Sequence, residues 1–387
     1  MLLGIDILVS NRFKLLNGMK VGLCTNISAC DSQLQPTMIL FEHQRNFTLD
    51  VVFTPEHGLS GALQDQKKSS DFYDKKKNIK IHSLYGERLA PDIATIKKLD
   101  CIVIDLQDIG TRYYTFSWSA VLLIQQCALL KKKIIILDRP NPLNGVTLEG
   151  PVLEPRFSSF VGLYPIPVRH GLSIGELCTL ISTEFNIPAD ISVVKMKLWR
   201  RRYYFDDTRL PWTIPSPNMP ALSTAIVYPG MCLLEGTNVS EGRGTTRPFE
   251  IVGAPWIDPF LLIASLKKEK LPGVQVRPTF FIPTFNKYKN ELCGGIHVYV
   301  RNRKKFNSVL TGLIIIKTIK KLYPDKFRWH QPPYEFEKEK LPFDILIGNA
   351  WVREAINRTE SIAVMRKKWI KKLTEFKKMR KKYLLYR

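Results

Sequence analysis

The chain reads as an α/β protein built on a mostly parallel sheet, and three features predict it. Short apolar, β-branched runs alternate with helical patterns through the first half, nearly every residue of those runs is apolar, and each run ends in a polar cluster. Such alternation implies βαβ units with right-handed crossovers. Strands with no polar face belong in a sheet that is covered on both sides.

The runs of strand length are Lys20–Asn26, Leu49–Thr54, Cys101–Leu106 and Lys133–Leu137, with helices expected at Met38–Arg45 and Ser119–Leu130. The polar clusters that close them are Thr25-Asn26, Thr54-Pro-Glu-His-Gly58, Gln107-Asp-Ile-Gly-Thr-Arg-Tyr-Tyr114 and Asp138-Arg-Pro-Asn-Pro142. Ligands of open α/β sheets bind beyond the carboxyl ends of the strands. The edge carrying Asn26, Glu56, His57, Asp105, Asp108, Arg112, Asp138, Arg139 and Asn141 is therefore the expected active-site face. No GxGxxG follows the first strand, so no motif points to a dinucleotide site.

Further along, Ser173-Ile-Gly-Glu176 has the form of a capping box before an apolar helix. Arg169 and His170, just ahead of that cap, are placed to face a ligand at a helix N-terminus. Pro215–Pro220 and Glu235–Phe249 read as long ordered loops of the kind that carry function. After Ile251 the pattern is mixed, with a strand at Gly295–Val300, a helix at Ser308–Leu322 and a final basic helix. Trp369, Leu373, Phe376, Met379 and Tyr383 share one face of that last helix and are expected to dock it on the core. The length, 387 residues, favours two domains. The boundary is expected near Ile226, giving 1–225 and 226–387.

Composition narrows the class. The net charge is +23, carried in short Lys runs such as Lys75–Lys77 and Lys131–Lys133 without interleaved base-stacking aromatics, which argues for a solvated basic surface over a dedicated nucleic-acid site. The cysteines number seven, with no C-x2-C spacing, so neither a cysteine metal site nor a disulfide framework is expected. No apolar stretch reaches the ~18 residues of a membrane helix. Met1–Ile5 lacks a basic n-region and a cleavage site. A cytoplasmic protein is the expectation.

Glu56 stands one step past a buried strand, where partial burial would keep a carboxyl group protonated for general-acid work. Asp105 and Asp108 are candidates for the second carboxylate that glycoside chemistry needs. Glu241, Arg243 and Arg247 share a loop with Gly242 and Gly244, and its arginines suit bidentate recognition of a carboxylate.

The sequence resembles the NamZ-type exo-β-N-acetylmuramidases. The resemblance is carried by Thr54-Pro-Glu-His-Gly58, Ser83-Leu-Tyr-Gly86, Asp105-Leu-Gln-Asp-Ile-Gly-Thr-Arg-Tyr-Tyr-Thr115, Leu137-Asp-Arg-Pro-Asn-Pro142 and Pro167-Val-Arg-His-Gly171, followed by Pro215-Ser-Pro-Asn-Met-Pro220, Glu235-Gly-Thr-Asn238, Ser240-Glu-Gly-Arg-Gly-Thr-Thr246 and Gly253-Ala-Pro-Trp256. It extends over essentially the whole chain. It implies a Rossmann-like N-terminal domain, a smaller α/β C-terminal domain and a site in the cleft between them. It also implies a glycosidase that uses no metal or organic cofactor and releases N-acetylmuramic acid from the non-reducing end of peptidoglycan fragments. Glu56 corresponds to the family's catalytic glutamate, with Asp105, Asp108 or Glu241 as its partner. Tyr113, Asn218 and Asn238 join the residues above as substrate-binding candidates. Two other readings stay open at this point: a non-catalytic binder of anionic glycan or nucleic acid, and a hydrolase shifted to another anionic amino sugar.

Overall fold

The computed structural model describes residues 1–75 and 78–387; Lys76 and Lys77, the end of one Lys run named above, lie outside the described residues. Among the described residues, the N-terminal domain holds nine strands: β1 (Lys20–Cys24), β2 (Thr48–Thr54), β3 (Phe72–Asp74), β4 (Ile79–Ser83), β5 (Cys101–Ile104), β6 (Lys133–Leu137), β7 (Glu149–Val152), β8 (Pro167–Arg169) and β9 (Asp190–Val194). Seven of them form one sheet in the order β3-β4-β2-β1-β5-β6-β9. Every pairing in it is parallel except β3 with β4. Ordered along the chain, the six parallel strands follow the doubly wound pattern, whose direction reverses between β1 and β5.

The apolar runs divide between two layers because successive strand residues point to opposite faces. Val21, Leu23, Val52, Val103, Ile135 and Leu137 face one layer, shared with Ile5, Leu8, Met38 and Phe41 of the helices Gly4–Ser10 and Thr37–Glu42. Val51, Phe53, Ile102, Ile104, Ile134 and Ile136 face the other, against the helices Thr115–Leu129 and Ile174–Glu184. Both faces are thus covered, as the uninterrupted apolar runs predict.

The C-terminal domain carries an antiparallel sheet in the order β10-β12-β11, made of β10 (Ile251–Ala254), β11 (Val274–Phe281) and β12 (Cys293–Val300). The helix Leu222–Met231 spans the expected boundary near Ile226 and crosses the helix Ser308–Leu322 at close range. A Cβ on Gly230 would sit 1.8 Å from the Ser308 carbonyl oxygen, so only glycine permits that crossing. The last helix, Ile362–Arg380, docks through buried Trp369 and Phe376, with Leu373 and Met379 partly covered. Arg380 then reaches into the N-terminal domain and donates to the carbonyls of Gly171 at 2.9 Å and His170 at 3.1 Å.

Candidate active site

A small pocket of about 40 Å³ opens where the loops after β2 and β5 meet the C-terminal domain. Its N-terminal wall includes Glu56, His57, Asp65, Tyr113, Tyr114 and Thr115, and its C-terminal wall includes Tyr228, Glu235, Arg243, Phe249, Tyr334 and Glu335.

Glu56 leaves β2 as the chain turns sharply; the next residue, His57, has φ of 71°, held by a contact of 2.6 Å between its Nδ1 and the Leu63 carbonyl. The Glu56 carboxylate is buried and accepts on both oxygens. Gln66 N–H donates to Oε1 at 3.0 Å, and Thr115 Oγ1 donates to Oε2 at 2.7 Å. Thr115 opens the helix Thr115–Leu129, so the positive end of that helix dipole lies beside the carboxylate.

Facing it is Glu335, which the sequence pattern does not single out. It is buried, its backbone lies in the left-handed region at φ 46°, and Phe336 follows at φ 66°. Non-glycine residues persist there only when their surroundings enforce it, and such positions gather at functional sites. Tyr85 donates its hydroxyl to Glu335 Oε2 at 2.8 Å. Burial, and then the negative charge of Glu56, push the Glu335 carboxyl well above the usual carboxylate range.

Arg243 stands among three carboxylates, with Glu235 at 2.8 Å, Asp65 at 3.1 Å and Glu241 at 3.4 Å, and its guanidinium lies 5.0 Å from the Phe249 ring centroid. Burial alone would lower its pKa, but Glu235, Asp65 and Glu241 outweigh burial and hold it well above the usual value. Arg243 is thus the internal counter-ion of an acidic hollow. These carboxylates engage the guanidinium of Arg243, so it presents no open fork to clamp a substrate carboxylate as expected. Arg247 is half-exposed, lies 3.7 Å from Glu250 and does not line the pocket.

Of the residues expected at the site, Glu56, His57, Tyr113, Asn218 and Arg243 line the pocket. Asn218 donates to Gln64 at 2.9 Å within the N-terminal domain, and Tyr113 donates to the Pro229 carbonyl, tying the two walls together. The candidate partner carboxylates sit elsewhere. Asp105 is fully buried against Arg139 at 2.5 Å and accepts from Thr37. Asp108 accepts from Gly110 N–H at 2.6 Å and Ser117 at 2.7 Å, with His170 3.5 Å away. Glu241 pairs with Lys287 at 2.9 Å behind Arg243.

The remaining candidates satisfy backbone or charge within the fold. Asn26 donates to the Pro215 carbonyl at 3.2 Å and so holds the 215–220 loop. Arg112 donates to the carbonyls of Pro151, Ile166 and Leu346, and burial lowers it to about 10. Asp138 accepts from Ser173 at 2.7 Å and Gly175 N–H at 2.9 Å, Asn141 donates to the Leu172 carbonyl at 2.9 Å, and Arg169 pairs with Glu149 at 2.5 Å. Asn238 donates to the Lys326 carbonyl at 2.9 Å. The groups missed from sequence are Asp65, Thr115, Glu235, Tyr334 and Glu335. Of these, Thr115 and Glu235 belong to the motifs quoted above, and nothing in the pattern around Glu335 marks it.

Fold and site together define a two-domain α/β protein with several carboxyl groups enclosed in an inter-domain pocket, an equipment suited to acid–base hydrolysis. Comparison with known proteins narrows this. Sequence models of the exo-β-N-acetylmuramidase NamZ match residues 21–223 for its N-terminal part and 226–386 for its C-terminal part. The peptidoglycan β-N-acetylmuramidase NamZ of Bacillus subtilis (strain 168) is 43% identical over 383 residues, 99% of this chain and 91% of that protein. A crystal structure of a DUF1343 family protein from Bacteroides fragilis superimposes with a TM-score of 0.91 at 31% identity, covering 100% of this chain and 99% of that one. A second such protein from the same organism gives 0.76 at 29% identity over the same shares. The chain belongs to the exo-β-N-acetylmuramidase NamZ family, and with that it is a glycosidase.

Proposed function

We propose that this protein is an exo-acting β-N-acetylmuramidase that removes N-acetylmuramic acid from the non-reducing end of peptidoglycan fragments, with Glu56 as a catalytic carboxyl group. The observation that carries the residue assignment is the position of Glu56 in the inter-domain pocket. Its carboxylate is fixed by Gln66 and Thr115 and stands in the same hollow as a second carboxyl group, that of Glu335. Glycoside hydrolysis needs such a pair flanking the scissile bond, one to protonate the leaving oxygen and one to deliver water or attack the anomeric carbon. Incubation with a disaccharide bearing a non-reducing terminal N-acetylmuramic acid tests the reading by mass spectrometry. Free N-acetylmuramic acid is expected from the native protein and is expected to fall by several orders of magnitude in Glu56→Gln. Release of the internal sugar, or an undiminished rate in the variant, argues against it.

The expected setting is salvage of soluble muropeptides in the cytoplasm. All seven cysteines are free and buried, which suits a reducing compartment. No helix among the described residues is long and apolar enough to cross a membrane. Fractionation of the native cells, followed by immunodetection, decides the compartment.

A further inference from the structure

The muramidase reading leaves open which group partners Glu56, and the inference that follows rests on that reading. We infer that Glu335 is the second catalytic carboxyl group and that it donates the proton to the glycosidic oxygen, with Glu56 as its carboxylate partner. The two glutamates line one pocket from different domains, Glu56 from the end of β2 and Glu335 from the loop before the helix Pro342–Ile347. Their hydrogen bonding differs in kind. Glu56 accepts on both oxygens, from a backbone N–H and a hydroxyl. Glu335 has one oxygen bonded to Tyr85, and no hydrogen bond engages its other oxygen among the described residues.

The charged and titratable groups facing Glu335 are Glu56, Asp65 and Glu235 together with Tyr85, Tyr334, His57 and Arg243. The Arg243 charge is divided among Asp65, Glu235 and Glu241, so among the described residues lining the pocket no cation is left to ionise Glu335. The carboxyl that burial and its acidic neighbours keep protonated is thus the one with a free oxygen, which is the requirement for a general acid. In the step, the Glu335 proton passes to the glycosidic oxygen as the bond from that oxygen to the anomeric carbon breaks, and the leaving sugar departs with the bonding pair as its hydroxyl. Water supplies the hydroxyl that ends on the anomeric carbon, and the proton it gives up returns to the carboxylate pair.

Leaving-group dependence tests the assignment. A sugar alkoxide needs protonation to depart, whereas a dinitrophenolate does not. Glu335→Gln is expected to lower kcat on the natural disaccharide by about 10²–10⁴-fold, and to leave the dinitrophenyl β-N-acetylmuraminide nearly as reactive as with the native enzyme. The alkaline limb of the pH profile is expected to vanish on the activated substrate. Glu335→Ala with added azide or formate provides a second route, since a small acid or nucleophile restores turnover only where a catalytic carboxyl has been removed. Equal losses on both substrates with no rescue, in a variant whose thermal midpoint is no lower than the native one, assign Glu335 a structural role and overturn the inference. So does full activity of Glu335→Gln on the disaccharide while Glu56→Gln is inactive, an outcome that leaves the muramidase reading intact. That reading fails separately if the native enzyme releases no N-acetylmuramic acid.

Discussion

Thr115 Oγ1 donates to Glu56 Oε2 at 2.7 Å and thereby fixes the glutamate proposed as catalytic from the first residue of the helix that follows β5. A hydrogen bond to a charged group contributes about 1.5–3 kcal/mol, and here it sets the direction of a carboxylate rather than joining two elements. Thr115→Val is expected to lower kcat on the disaccharide about 10–100-fold, the same energy read as a rate, with KM little changed. Thr115→Ser, which keeps the hydroxyl, retains most of the rate. Steady-state kinetics on the three proteins check this, and a valine variant within twofold of native would separate Thr115 from the mechanism.

The acidic pocket has a stability cost that depends on pH. The Glu335 carboxyl titrates well above the usual value in the fold, because burial and the Glu56 charge disfavour its ionised form, while in the unfolded chain it titrates normally. Between those two values the folded state holds more protons than the unfolded one, so stability falls as pH rises through that window. Glutamine at the position carries no such titration. The variant Glu335→Gln is therefore expected to match the native protein near pH 4 and to exceed its melting temperature by a growing margin toward pH 8. A constant difference across that range would show that Glu335 titrates normally in the fold.

The N-terminal sheet is legible in the sequence because its strands are buried on both faces, and a continuous apolar run such as Cys101–Ile104 or Lys133–Leu137 leaves no polar face to turn toward water. Strand β4 and edge strand β9 escape the same reading. The first alternates polar Lys80 with buried Ile81, and the second is only half-buried at the sheet edge. The site is readable as an edge but not as a set of residues. Asp105, Asp108 and Asp138 follow strands just as Glu56 does, and a carboxylate that binds Arg139 or caps a helix looks the same in sequence as one that faces a cavity. Glu335 is invisible for a different reason. Its place in the pocket depends on a left-handed turn after Tyr334 and on a bond to Tyr85, 250 residues away.

The contrast between Glu56 and Asp105 can be measured. Asp105 and Arg139 are both buried, 2.5 Å apart, and neither lines the pocket. Removing one member of a buried ion pair leaves an uncompensated charge and costs about 3–5 kcal/mol. Asp105→Asn is expected to lose stability on that scale in urea unfolding while its folded fraction keeps a kcat near native. A large loss of kcat at unchanged stability would return Asp105 to the catalytic set.

The chain's end reaches back to the first domain, and its contribution has a pH signature of its own. Tyr386 donates to Asp138 Oδ2 at 2.5 Å across 248 residues, beside Ser173 and the Gly175 N–H at the start of the helix Ile174–Glu184. Burial raises the Asp138 carboxyl to about 6, against the pull of the Tyr386 hydroxyl, which favours the charged form. Since the folded value lies above the unfolded one, Asp138 withdraws stability as pH rises from about 4 to about 6. Without the Tyr386 hydroxyl the folded value climbs further and the withdrawal continues to higher pH. Tyr386→Phe should therefore be close to native in stability at pH 5 and fall behind as pH passes 6, approaching a deficit of about 1.5–3 kcal/mol, the value of a hydrogen bond to a charged group. Urea midpoints for both proteins at pH 5 and pH 8 measure it. A deficit equal at the two pH values would mean that Tyr386 stabilises through its ring packing on Trp199, at 5.0 Å between centroids, and not through the carboxylate.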